Sequence, residues 1–569
     1  MIGLATDSLF TCHPSFSHIG EEQSYRVGEA FGRPARWVRM IVKTLRMRLI
    51  LAAVPLITLA PVGFALAQDA ATLPADAPSK RSIAIAKQAV TDPASRAVYA
   101  KAGWRAVWSA RNSEAFDRVL ADRARHGLDR IAFLADPVGN DDVARTKAAL
   151  EYAGALSQGR VDPASLHEVY TLPRPKSDLA AGLTRALAKG DLAAWFDGLA
   201  PQDAEYKALS EAYLAFSAKA TVATPVQAIP SGVIRVGNRD ARVATIVEQL
   251  VESGYLPTVT DPGSVAADPL APASPIALSH APSTAAPMLY TQAMADALKG
   301  LQTDYGIAAD GIVGPETLKV LNLGAGDRAR ALAVGLERRR WLTRTPPATR
   351  IDVNTAAAQL RYYRDGAVVD QREVIVGEPG RETPALSSPI YRLVANPTWT
   401  VPKSIQNGEM ANVGEDYLAA HNMVLRDGWI VQQPGPSNAL GLVKFDMAND
   451  QAIYLHDTSA PGLFERSQRH LSHGCVRVED ALGFAQMLAE DQGVTEAWQT
   501  AQASGEMTFV PLPRRIPVRL LYHNVYVDDG GRVAFRTDPY GWNDPIAEQL
   551  GFAKASAKRA EAQAIDIGP

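Results

Sequence analysis

At Ile351 the spacing of the apolar residues changes, and the change divides the chain into two kinds of fold. Before it, apolar side chains recur at intervals of three and four: Phe116, Leu120, Ala124; Tyr206, Leu209, Tyr213, Phe216; Val243, Ile246, Leu250; Met294, Leu298, Leu301, Tyr305. That period places them on one face of a helix. After it, Ile351 and Val353, then Leu360 and Tyr362, alternate, and Arg364-Asp365-Gly366 reads as a hairpin turn between them and the next strand. Strands are expected at 374–377, 391–401, 443–445 and 453–455, then a helix through Ala481, Phe484, Ala485 and Leu488, and a last hairpin around Asp528-Asp529-Gly530-Gly531. The chain reads as multi-domain α + β, helical first and mainly β after. Its 569 residues, 47% of them hydrophobic, are enough for several cores.

The helical half itself divides. Residues 83–230 read as one helical domain, with Trp104 and Trp108 on a shared face and Gly127 as a C-terminal cap. His126 and His167 read as core residues. A second unit spans 231–325. Its last helix opens at Gly314-Pro315, where proline loses no hydrogen bond, and an Ala/Pro/Ser-rich insertion at 258–287 reads as mobile. The β domain is placed at 349–540, with the polar, partly helical segment 404–421 as a lid, and 541–569 as a C-terminal tail.

The N-terminus fixes the compartment. A basic segment from Met40 to Arg48 precedes an apolar run ending in Ala65-Leu66-Ala67, the form of a cleaved secretory signal at 40–67. Residues 1–39 read as an over-extension ahead of the natural start, and 68–82 as a flexible leader. Of the two cysteines, Cys12 lies before the signal, so the exported protein keeps one thiol, Cys475, with no disulfide partner. A lone thiol in an oxidising compartment points to wanted reactivity. The net charge of −3 argues against nucleic acid as a partner.

His456 ends a short apolar run, and Cys475 follows within Ser472-His473-Gly474-Cys475-Val476-Arg477. A thiol becomes a strong nucleophile when a base takes its proton, and histidine is the usual one. Gly474 and Cys475 offer consecutive N–H groups to an oxyanion. Tyr454 stands two residues from His456, on the same strand face. The rival chemistry is zinc: His470, His473 and Cys475 form H-x-x-H-x-C, but no second ligand cluster accompanies them, and no metal or cofactor is expected.

The block from Ile351 to Arg536, with its His456…S-H-G-C-V-R signature, Asn396-Pro397-Thr398-Trp399 and the P-G-P-S-N-A-L-G stretch, resembles the L,D-transpeptidase (YkuD-like) catalytic domain. The 231–325 unit, with Asp310-Gly311-Ile312-Val313-Gly314-Pro315, resembles a three-helix peptidoglycan-binding domain, and the whole resembles the large periplasmic branch of that family. The resemblance implies acyl transfer on peptidoglycan stem peptides and glycan. Cys475 is then the nucleophile and His456 the base, oriented by the backbone carbonyl of Asp457. Gly474 belongs to the oxyanion site, Arg477 to the loop or a substrate carboxylate, and Tyr454, Ser472 and His473 to the surroundings. A periplasmic location follows, with membrane contact only through an uncleaved signal. Carboxypeptidase or D-amino-acid exchange activity, lipoprotein anchoring, and a non-catalytic wall-binding protein remain open alternatives.

Overall fold

The computed structural model describes residues 83–134, 141–222, 228–257 and 286–553. The expected signal, its upstream extension, the leader, nearly all of the 258–287 insertion and the chain beyond 553 lie outside the described residues. Among the described residues no helix is long and apolar enough to cross a bilayer.

In the helical half, side-chain caps start the helices: Asp92 accepts from the Ser95 N–H and Ser109 from the Asn112 N–H. Gly127 ends its helix at φ +64°, as the sequence implied. The shared helical face of Trp104 and Trp108 is not found. Trp104 sits at φ +60°, and the next helix begins only at Ala110. The Asp142 carboxylate accepts from the Val107 and Trp108 N–H groups, and the Trp108 indole donates to Thr146, which holds the segment extended.

The centre of this half is a helix absent from the sequence reading, α2 (Ala325–Arg340), packed against α1 (Ala204–Val222). α2 is buried on nearly all sides, including Arg340 and Glu337, which pair at 2.6 Å with both side chains fully buried. Arg340 also donates to the His126 carbonyl and the Tyr206 hydroxyl. The apolar residues of the 231–325 unit, among them Ile246, Leu298 and Leu321, join the same core as Leu183, Leu209 and Leu332. Within that unit the Asp310–Thr317 motif is built around buried Gln302, whose amide donates to Asp310, Thr317 and the Ile312 carbonyl.

The β half is a nine-stranded sheet: β1 (Arg350–Asn354), β2 (Gln359–Arg364), β3 (Ala367–Gly377), β4 (Ser387–Ala395), β8 (Val443–Met447), β9 (Leu455–His456), β10 (His470–Ser472), β11 (Val476–Val478) and β12 (Thr508–Leu521). Pairing runs β3-β11-β9-β8-β4-β12-β1-β2 and returns from β2 to β3, so eight strands form a closed circuit, with β10 alongside β3. The turn at Asp365-Gly366 has both residues at positive φ, as a two-residue hairpin requires. Helix α3 (Ala481–Gln492) covers this core with Phe484 and Leu488.

The lid is larger than 404–421. Strands β5 (Trp399–Thr400), β6 (Met423–Arg426) and β7 (Trp429–Gln432) make a three-stranded sheet under helices Lys403–Asn407 and Glu415–Ala420, with a small core of Val401, Ile405, Met410, Met423 and Ile430. Beyond the barrel, β13 (Val525–Val527) and β14 (Val533–Phe535) pair as expected, but the hairpin leaves the β core and docks Phe535 against Tyr305 and Phe216. The expected tail begins too early at 541. Helix α4 (Asn543–Gln549) returns to the helical core, where Ile546, Ala547 and Leu550 are fully buried and Phe552 nearly so.

Candidate active site

Cys475 immediately precedes β11, and β11 runs parallel to β9 with Leu455 opposite Val476 and His456 opposite Arg477. The Val476 N–H, at the start of β11, donates to the Tyr454 carbonyl, just ahead of β9, which brings the two segments together. Two stretches nineteen residues apart in sequence therefore lie side by side. The Tyr454 ring meets the His456 ring edge-on at 5.6 Å, and its hydroxyl and N–H face the Cys475 sulfur, where they favour the thiolate. Tyr454, which precedes β9 rather than lying in it, stands beside both His456 and Cys475.

Burial pushes the half-buried Cys475 thiol upward; Tyr454, Lys444 and Arg477 oppose it without reversing the direction. Burial also lowers His456 to about 3, assisted by the nearby charges of Arg477 and Lys444. The Asp457 carbonyl lies beside the imidazole and favours its protonated form, although His456 Nδ1 has no partner in normal hydrogen-bond geometry. The Asp457 carboxylate points elsewhere and accepts from the Leu442 N–H at 2.8 Å. Gly441 makes room for it: at φ +63°, a Cβ there would stand 2.3 Å from that carboxylate.

The loop that carries Cys475 is braced from within. Ser472 donates to the Cys475 carbonyl and accepts from the Gly474 N–H at 3.2 Å, while Thr383 donates to the Gly474 carbonyl at 2.8 Å. Gly474 has φ +111°, which a side chain would strain. Its N–H is thereby engaged, whereas the Cys475 N–H makes no hydrogen bond among the described residues and is the freer oxyanion donor.

The three residues of the H-x-x-H-x-C spacing go separate ways. His470 bonds the Thr355 carbonyl and packs against Tyr540, His473 reaches Glu409 on the lid, and Cys475 faces Tyr454. Among the described residues no group of three His, Cys, Asp or Glu side chains could hold a metal ion. Among the described residues Arg477 has no carboxylate partner, and its Nε is buried without a hydrogen bond.

Sequence reasoning missed three groups. Lys444 pairs with Asp446 at 2.9 Å and lies over the Tyr454 ring at 4.2 Å, opposite His456 in register. Arg381, paired with Glu409, lines a cavity of about 370 Å³ beside Gly474, walled also by Glu382, Ser404, Ile453 and His473. No local motif marks any of the three. Only Lys444, two residues from Asp446 on a strand, carried a usable signal.

Residues 348–496 match the family model "L,D-transpeptidase catalytic domain" (YkuD), 93–212 match a scaffold domain, and 279–321 match a "Putative peptidoglycan binding domain". A curated Haemophilus influenzae protein named "Putative L,D-transpeptidase" is 34% identical over 220 residues, 34% of this chain and 45% of the relative. The chain thus spans about half the length of that relative. A solved L,D-transpeptidase from Stackebrandtia nassauensis is 15% identical, with 52% of this chain and 97% of that one covered and a TM-score of 0.21. A mutant of an Enterococcus faecium L,D-transpeptidase is 13% identical, with 31% and 50% covered and a TM-score of 0.17.

Proposed function

We propose, for a chain that carries an L,D-transpeptidase catalytic domain with a scaffold and a peptidoglycan-binding domain, that it is an exported, periplasmic enzyme cross-linking peptidoglycan stems through a cysteinyl thioester. The observation that carries this reading is the convergence of Cys475, Tyr454 and His456 on adjacent parallel strands beside a lidded cavity. In the first half-reaction the Cys475 sulfur attacks the carbonyl of the third-position diamino acid in a tetrapeptide stem. His456 takes the thiol proton, the tetrahedral oxyanion rests on the Cys475 N–H, and the C–N bond to the terminal D-alanine breaks as His456 protonates the leaving amine. In the second, the side-chain amine of a neighbouring stem loses its proton to His456 and attacks the thioester, and the thiol is restored.

His456 is held neutral at pH 7, so its imidazole is unprotonated when the thiol proton arrives, and the same burial favours its giving the proton on to the leaving amine. Lys444 and Arg477 supply positive charge to the sulfur as it ionises. Water in place of the amine gives carboxypeptidase activity, and a free D-amino acid gives exchange, so one experiment separates the readings. Purified protein is incubated with disaccharide-tetrapeptides and the products are weighed. A dimer lacking one D-alanine supports cross-linking; tripeptide alone supports hydrolysis. An unchanged substrate, with the thiol still open to alkylation, would sink the acyl-transfer reading and favour a non-catalytic wall-binding protein.

A further inference from the structure

The Glu409 carboxylate is held by two donors that belong to the wall of the active-site cavity. Its Oε1 accepts from Arg381 Nη1 at 2.7 Å and from His473 Nε2 at 2.8 Å, the latter in the tautomer that carries the proton there. The three groups come from three separate places. Glu409 follows the first lid helix, Arg381 lies in the loop after β3, and His473 stands two residues before Cys475. Both donors line the cavity beside Gly474. Two donors from different loops aimed at one oxygen are the arrangement by which a carboxylate is recognised. The side chains are 46%, 51% and 36% exposed for Arg381, Glu409 and His473, so solvent screens the contact and little energy opposes its replacement.

We propose that the Arg381–His473 pair is a docking point for a substrate carboxylate, and that Glu409 occupies it as a lid-borne stand-in until the substrate displaces it. The inference rests on the acyl-transfer reading, which brings a stem peptide into this cavity. A tetrapeptide stem presents carboxylates on both sides of the scissile bond: the C-terminus of the leaving residue, and the one on the side chain of a diaminopimelate-type third residue. Either one, on reaching Arg381 and His473, frees Glu409. The lid then loses its ion pair to the nucleophile loop, so entry of the correct group and release of the lid become one event. A neutral or cationic group at the same point gains nothing and leaves the lid fastened.

The test uses the full chain with Cys475→Ala, which binds without turnover, and calorimetry with three disaccharide-tetrapeptides: the free acid, the C-terminal amide and the side-chain amide. One amide should bind about tenfold more weakly than the acid, the size of one charge-assisted contact, and which amide it is identifies the carboxylate. Arg381→Ala should erase the difference, and Arg381→Lys should restore part of it. Glu409→Gln should tighten the acid several-fold, roughly the strength of an exposed competing pair, and leave the weak amide unchanged. Equal affinities for acid and both amides, no measurable binding of the acid, or a Glu409→Gln variant that binds the acid less well would overturn the proposal. Product masses from the unmodified enzyme are read separately. Absent transfer with intact discrimination between acid and amide would sink the reaction and not the carboxylate site.

Discussion

Cys475 and His456 are shifted in opposite directions by the same cause. Burial disfavours the thiolate of one and the imidazolium of the other, so at pH 7 the pair rests as thiol and neutral imidazole rather than as an ion pair. On the proposed mechanism, the thiolate forms as its proton passes to His456. The sign of the pH dependence follows. A base held to about 3 stays able to accept a proton well below the ordinary imidazole range of about 6.5. Acylation of Cys475 by a carbapenem, followed by intact mass, should keep its neutral rate through pH 6 and fall only in more acid solution. A rate that halves near pH 6.5 would contradict the held-neutral imidazole. Cys475→Ser should lower acyl transfer by about 10³-fold or more with the fold unchanged, because the hydroxyl is far less acidic than the thiol; near-normal turnover in that variant would refute the thioester. These residues were legible in the sequence because motif and spacing reported them together. Arg381 and Glu409 were not, since the pairing of β10 with β3 and the placement of the lid, rather than nearness in sequence, bring them to His473.

At the scale of elements, the clearest failure of sequence reasoning is α2. Its sequence, with Arg328, Arg330, Arg338, Arg339, Arg340 and Glu337, looks like a solvated stretch, yet most of these side chains are buried. Charge reported neither burial nor helix because the head groups find partners that the local sequence does not reveal: Glu337 accepts from the Val161 N–H at 2.7 Å, besides the Trp341 indole at 3.1 Å and Arg340, and Arg340 donates to the His126 carbonyl. Glu337→Ala should therefore cost about 3–5 kcal/mol, since it strands a buried guanidinium, and urea unfolding of the full chain measures it. A loss under 1 kcal/mol would mean that water reaches Arg340. The strands fared better, because one face of each is buried and alternation survives in the sequence. The glycine of the P-G-P-S-N-A-L-G loop is a second element-scale test. Gly441→Ala meets the Asp457 carboxylate and an unfavourable φ together, so the loop must shift beside His456. Acyl transfer should fall by at least about tenfold while melting changes by only a few degrees, the consequence of a small displacement near reacting groups. Unaltered kinetics would show that Asp457 does not position the histidine.

The whole molecule has two large cores rather than one per domain. Scaffold, wall-binding unit, α2, the β13–β14 hairpin and α4 share the first, and the barrel with α3 forms the second. The sequence suggested separable domains because each helix carries its own periodic face, and periodicity does not say which faces meet. Arg536 donates to the Thr303 and Asp304 carbonyls and Gln468 to the Gly306 carbonyl, so the wall-binding unit is fixed to the catalytic half by direct contacts. On the proposed function, a peptidoglycan strand held there would be presented in a set orientation to Cys475, not tethered at random. The chain's end tests this arrangement, because α4 belongs to the helical core although it follows the barrel in sequence. Stopping the chain at residue 540 removes Ile546 and Leu550, both fully buried, together with Asn543, which accepts from Arg338 at 2.6 Å, and Asp544, paired with Arg330 at 2.7 Å. Burial of the two aliphatic side chains alone is worth about 3–6 kcal/mol, and Arg338 and Arg330 each lose one partner besides. Truncation should thus lower the unfolding temperature of the helical core first, while the barrel, whose core holds none of these residues, melts later in a separate transition seen by calorimetry. Melting that stays single and shifts by less than a degree would mean that α4 is dispensable, as a frayed tail would be.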